Sequence, residues 1–362
     1  MEDKFRISDI FKKSKEQDKA QNYGIDFSKF KPGGKKEPEK EQPPEVDFSS
    51  AVGKEQPKEP ESRPVAYDSA LYSEAVALAR KIYNNQAEEA DITGGVYSLA
   101  GRMIDLIAAG ENRELLKSAI AEYLQPQHYL YYHAVNVCIF SLYIGHGLAY
   151  DSSRLSSLGV AAFLHDIGLS RYTDIISQPK KLTLQEFNQV KQHTVAGPEI
   201  ISEIVRNVDI NIFEVMQQEH ERIDGSGYLK GLKDDDIIED AQIVGLCDVY
   251  EAMIHQRPYR KKYSPLETIK IILGNKNTFA HKLVKLLIDK IGIFPIGTFV
   301  ELNTKEVGEV LEENPDLPLR PVVNILFDGS GRRLKQSRRI NLADSPTVYI
   351  SETSSKPNDP LC

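Results

Sequence analysis

The stretch HYLYYHAVNVCIFSLYIGHGL, residues 128–148, carries apolar side chains on almost every side of a helical wheel. A helix without a polar face has to be enclosed by other elements, so the fold must be built around it. The flanking sequence supplies those elements. YSEAVALARKIYNN, VYSLAGRMIDLIAAG and ELLKSAIAEYL precede it, with apolar residues at three- and four-residue spacing. SSRLSSLGVAAFLHDIGL, TLQEFNQVKQHTVAGPEIISEI, IFEVMQQEHER, EDAQIVGLCDVYEAMI, SPLETIKIIL and AHKLVKLLIDKI follow it with the same habit. The expectation is a mainly α protein, a helical bundle. Ser152 or Ser153 is the expected N-cap of one helix, and Thr183 with Glu186 has the spacing of a capping box at another.

The style changes after Gly292. GTFVELN, EVGEVLEEN, RPVVNILFD and TVYIS are short β-like runs separated by turn residues, which predicts a small antiparallel appendage. Before the helices, residues 1–66 are rich in Lys, Glu and Pro (KPGGKKEPEKEQPPEVDF), a composition too poor in apolar surface to offset the entropy of ordering. The expected organisation is a disordered tail over 1–66, a helical extension over 67–122, a helical core over 123–290, and a β appendage with a C-terminal tail over 291–362. Two apolar islands interrupt the tail, FRISDIF at 5–11 and IDFSKF at 25–30, and the first has the spacing of one helical turn that could dock on a partner protein.

The formal net charge of −8 argues against a general binder of nucleic acid polymers or anionic membranes. Three cysteines, far apart, make no disulfide framework. The N-terminus MEDKFRISDIFKK lacks the apolar core of a signal peptide, and no apolar run approaches the roughly 20 residues of a membrane span. The expected setting is reducing and cytoplasmic.

Chemistry-bearing residues fall inside the apolar helices. His133 lies within the enclosed stretch, His165–Asp166 close the next helix, and His193, Glu219–His220 and Asp248 follow at intervals of 26–32 residues. A buried carboxylate is costly unless paired or ligated, and a divalent metal cluster would relieve that cost for several groups together. Any one of these residues alone has an ordinary structural explanation; the joint pattern does not.

The motifs HDIG at 165–168, HTVAG at 193–197, EHERIDGSGYLKGL at 219–232 and DVYEAM…RPYR at 248–260 resemble the HD-GYP branch of the HD-domain metal-dependent phosphohydrolases. The resemblance covers about residues 120–290, and FPIGTFVELN onward is similar to a β tail common in the family. It implies an HD-type helical bundle, hydrolysis of cyclic di-GMP, and a cluster of two or three metals, often iron. By position it makes His133, His165, Asp166 and Asp248 ligands of one metal. Asp166 would bridge to a second, held also by His193, Glu219 and His220, and would be the central catalytic residue. Imidazoles and carboxylates suit divalent Fe or Mn, and a bridging carboxylate suits ions about 3.5–4 Å apart. Arg257 and Arg260 would clamp a phosphate, and Tyr228 would line the nucleotide pocket.

The chain departs from the family at four places. Glu219 stands where the family has histidine, Leu169 where HDxGK has lysine, and Leu229 where GYP has proline. Tyr129 holds the position of a third-metal glutamate, so two metals are expected. Two readings come first: a phosphodiesterase that turns over cyclic di-GMP slowly, and an impaired receptor or signalling scaffold that kept the pocket. A hydrolase for another nucleotide stands behind them. A protein partner meeting residues 5–11 or the 225–229 loop, and a homodimer, are further partner classes left open.

Overall fold

α4 (Tyr129–Gly147) is the axis of the molecule, with all but four of its nineteen residues buried. A computed structural model describes residues 70–353, apart from 112, 124, 126–127, 179, 258–261, 276 and 315. The expected tail over 1–66, its islands at 5–11 and 25–30, and Arg260 lie outside the described residues. α4 packs against α1 (Ala70–Tyr83), α5 (Ser152–Leu164), α10 (Glu239–Ile254) and α12 (His281–Ile291). α1 shows how the pattern works: Leu71, Ala75, Ala79 and Ile82 fall on one stripe and are all buried. α2 (Tyr97–Ala109) ends at Gly110 with φ +73, and Gly94 and Gly95 lie inside a π-helical turn, Asp91–Val96.

The capping box at Thr183 is present and starts α7 (Leu184–Val190). Two local readings are corrected. Asp151, not Ser152 or Ser153, caps α5, accepting a bond from the Arg154 amide at 2.8 Å. An ionised acceptor makes the stronger bond at a helix N-terminus. The run from Thr183 to Ile204 is two helices, because the chain turns at Lys191–Gln192 before α8 (His193–Ile204). α3 (Arg113–Ile120), α6 (Thr173–Ile176), α9 (Ile210–Gln218) and α11 (Pro265–Gly274) complete the described helices. None of them is long and apolar enough to cross a membrane.

The appendage is an antiparallel sheet of β1 (Phe299–Leu302), β2 (Val307–Glu312), β3 (Val322–Phe327), β4 (Arg333–Asn341) and β5 (Ile350–Thr353), in the order β4-β3-β2-β1-β5. Val300, Leu302, Val310, Val323 and Ile325 are fully buried on its inner face. β4, RLKQSRRIN, has no apolar alternation and was not legible as a strand. Among the described residues it pairs only with β3, at the sheet edge, where Arg and Lys discourage further pairing.

Glu313, just after β2, has an Oε1 without a hydrogen-bond partner. Burial raises its pKa to about 8, against a backbone hydrogen bond with Ile296 that lowers it. Burial, and after it the Glu313 carboxylate, raises the pKa of Tyr143 on α4 and Tyr250 on α10. The unfolded value is about 4.3, so the folded state holds this proton more tightly. The resulting stability is complete below the unfolded value and is lost as pH rises through about 8. Glu313→Gln should therefore melt increasingly above wild type as pH is raised from 5 to 9. Parallel melting curves across that range would show that Glu313 is solvated instead.

Candidate metal centre

Seven side chains, carried by five helices and the turns at their ends, meet inside the bundle. Asp166, His193, Glu219 and His220 form one group whose ligand atoms lie within 4.8 Å of one another, and His133, His165 and Asp248 form a second. These are the seven positions expected from the sequence.

Local geometry aims each imidazole. His165 follows α5 and His193 begins α8, and the Nδ1 of each lies 2.7 Å from the carbonyl three residues earlier, Ala162 and Val190 respectively. That bond turns Nε2 toward the interior. His133, mid-helix on α4, is held at Nδ1 by Glu251 on α10, leaving Nε2 3.2 Å from Asp248 Oδ1 and 3.5 Å from Asp166 Oδ2. Asp166 divides its oxygens: Oδ2 faces His133 and His165, each at 3.5 Å, and Oδ1 faces His193 at 3.3 Å. Glu219 at the end of α9 faces His193 at 3.5 Å and His220 at 3.0 Å.

Two close backbone approaches hold these ends together. A Cβ on Gly168 would lie 2.0 Å from the His193 carbonyl oxygen, and one on Gly245 would lie 2.1 Å from that of Glu219. Only glycine lets the turn after Asp166 meet α8, and lets α10 meet the end of α9.

The donor set suits a divalent cation. Neither Glu219 oxygen has a hydrogen-bond partner, and Glu219 is fully buried; burial raises its pKa to about 8. His165 Nε2 also has no partner. Leaving such groups unmatched costs free energy that a cation would recover. Burial alone would raise the pKa of Asp166, but the imidazoles of His165, His133 and His193 outweigh it and keep the carboxylate ionised. Burial, with the neighbouring His193, lowers the pKa of His220 and keeps that ring neutral. Ionised carboxylate and neutral imidazole are the forms that bind metals, so Glu219, and His193, whose pKa Glu219 and Asp166 raise to about 9 against the effect of burial, would release protons to a bound cation.

The EHERIDGSGYL segment has four separate jobs. Glu219 and His220 join the cluster. Glu221 accepts the backbone amides of Lys230, Gly231 and Leu232 at 2.7–3.1 Å and so pins the following loop. Arg222 donates to the carbonyls of Glu219 and Glu221, at 2.9 and 2.7 Å. The pinned loop lays Tyr228 on the His220 ring, with centroids 4.6 Å apart.

Sequence reasoning missed Glu251. Its signal was the i, i+3 spacing from Asp248 in DVYEAM, which puts both carboxylates on one face of α10. It is fully buried and takes hydrogen bonds from Tyr123, Asn136 (3.0 Å) and Arg257 (3.1 Å) besides its contact with His133. Tyr72 of α1 extends this network through Asn136 at 2.8 Å.

The expected phosphate clamp at Arg257 meets a different geometry. The residue is 6% exposed, and its guanidinium pairs with Glu251, approaches His133 Nδ1 at 3.0 Å and lies over the Tyr129 ring at 4.3 Å. The buried carboxylate draws the cation beneath His133 instead of leaving it on an open wall. Arg260 lies outside the described residues.

Residues 114–281 match the HD domain, and residues 299–358 match the KOW domain associated with HD domain. A cyclic di-GMP phosphodiesterase of Pseudomonas aeruginosa is 32% identical over 205 residues, covering 56% of this chain and 49% of that protein. Cyclic di-GMP phosphodiesterase PdeB of Borreliella burgdorferi is 29% identical over 218 residues, covering 60% and 57%. The chain thus spans about half the length of these relatives. A solved HDG"Y"P protein from Bdellovibrio bacteriovorus shares the fold at TM-score 0.50 and 18% identity, over 62% of this chain and 74% of that one. Within the helical region, residues 114–281 are thus similar to the HD domain. Within that class, motifs and relatives together support the HD-GYP family.

Substitution at Asp166 should differ in kind from substitution at the other cluster residues. Asp166→Ala should empty both halves of the centre, and His133→Ala should weaken mainly one, as read by elemental analysis of anaerobically purified protein. Equal small losses from both would show that Asp166 serves a single group. Glu251→Gln keeps the shape but leaves Arg257 and His133 without their anion. Stability should fall by about 3 kcal/mol, and metal affinity about ten- to a hundredfold. Full metal content with an unchanged melting temperature would remove Glu251 from the centre.

Proposed function

We propose that this chain is a metal-dependent phosphodiesterase that hydrolyses cyclic di-GMP to the linear dinucleotide or GMP, slowly, in the cytoplasm. The observation that carries the reading is Asp166, whose two carboxylate oxygens face two separate groups of imidazoles. A carboxylate so divided suits two cations side by side, the arrangement used for in-line displacement at phosphorus. The names of the relatives supply the substrate class.

His133, His165, Asp166 and Asp248 would hold one divalent ion. Asp166, His193, Glu219 and His220 would hold the other, with Fe or Mn favoured by the mixed imidazole–carboxylate donors. Bound ions of this kind supply Lewis acidity to the phosphodiester and to water. The protein's own contribution is positional. Asp166 sets the spacing of the two halves, Glu251 and Arg257 fix His133, and Tyr228 offers a ring face at the edge of the centre for a base to meet.

The receptor reading has one observation in its favour: Leu169, on the turn that carries Asp166, is apolar and 8% exposed. One assay separates the two. Protein reconstituted anaerobically with Fe(II) or Mn(II) should convert cyclic di-GMP to linear dinucleotide or GMP, and Asp166→Ala should lower the rate by at least about a hundredfold, by analogy with loss of an electrostatic transition-state donor. Tight binding of cyclic di-GMP without any product from fully metallated protein would establish the receptor and overturn the enzyme.

A further inference from the structure

We propose that Lys191 is a substrate-contacting residue, its ammonium receiving a phosphate oxygen at the edge of the metal centre. The phosphodiesterase reading supplies the identity of the substrate; geometry supplies the site. Lys191 is the C-cap of α7, two residues before His193. Its Nζ stands 4.6 Å from the centroid of the Phe187 ring and 4.9 Å from that of Tyr228. Tyr228 stacks on His220 at 4.6 Å, and His220 Nε2 is 3.1 Å from His193 Nε2. One aromatic ring thus links the ammonium to the ligand cluster.

Among the described residues, no carboxylate pairs with Lys191. Ring faces orient an ammonium but take none of its N–H groups as strong acceptors would, so its donors remain for a ligand. Two other cations beside the cluster are already engaged. Arg257 serves Glu251, and Arg222 serves the carbonyls of Glu219 and Glu221. A phosphodiester arrives with one negative charge, and more charge develops on its oxygens as phosphorus is attacked. Leu169, on the Asp166 turn, offers no cation, and Lys191 supplies one at the Tyr228 edge of the cluster. α7 has no buried residue and packs on α6 and the turn Ile167–Tyr172, so the lysine can follow a ligand without disturbing the core.

The test uses the full chain loaded with Mn(II), titrated by calorimetry with cyclic di-GMP and separately with inorganic phosphate. Lys191→Met keeps the side-chain stem over the rings and removes the charge. Affinity for both probes should fall about ten- to a hundredfold. The dependence of affinity on salt should flatten, while metal content and melting temperature stay at wild-type values. Lys191→Arg should restore most of the loss, since a guanidinium also pairs with phosphate. If Lys191→Met does not fold, Lys191→Gln serves the same purpose. Unchanged affinity for both probes in a folded, metallated variant overturns the assignment, as does loss of metal, which would make the lysine structural. Wild-type protein that binds phosphate but not cyclic di-GMP, with the phosphate weakened by Lys191→Met, keeps Lys191 and overturns the substrate reading. Wild-type protein that binds neither probe overturns both.

Discussion

Asp166 places a carboxylate at 6% exposure in the middle of a helical bundle, and the surrounding structure answers that charge. An isolated buried carboxylate would be expelled or protonated. Here three imidazoles from α4, α5 and α8 converge on its two oxygens at 3.3–3.5 Å. The helices that bring them are therefore constrained in register and not merely in contact. The two glycines that permit backbone approach, Gly168 and Gly245, lie where a Cβ would push the ligand-bearing ends apart.

The second layer of the centre is as polar as the first. Glu251 carries a full charge in a fully buried position and is held ionised, against the effect of burial, by His133 and His255. Its partners come from α4, from α10 itself and from Tyr123, and Tyr72 ties α1 in through Asn136. Residues of the N-terminal helices thus support His133, a member of the cluster. Such networks cost desolvation, and what they return is orientation: His133 can present only Nε2 to the cluster.

Much of this was legible in advance. The all-round apolar character of 128–148 put α4 at the centre, and histidines and carboxylates at regular intervals along the apolar helices marked all seven cluster residues. Three features were not. β4 has no periodic apolar pattern and is a strand because β3 pairs with it. Glu251 looked like an ordinary helical glutamate. Arg257 read as a candidate phosphate clamp, and its pairing with the buried Glu251 six residues away was not foreseen.

The division has a physical reason. Helix periods and the Thr183 capping box depend on residues within a few positions of one another, and the candidate ligands on residue types recurring along the chain, so the sequence alone determined them. Which oxygen of Asp166 faces which imidazole, what holds His133, and where Arg257 and Lys191 point depend on groups distant in the chain. His133 and Glu251, for example, are 118 residues apart. Those matters are set by how α4, α5, α8, α9 and α10 pack, and only the tertiary structure decided them.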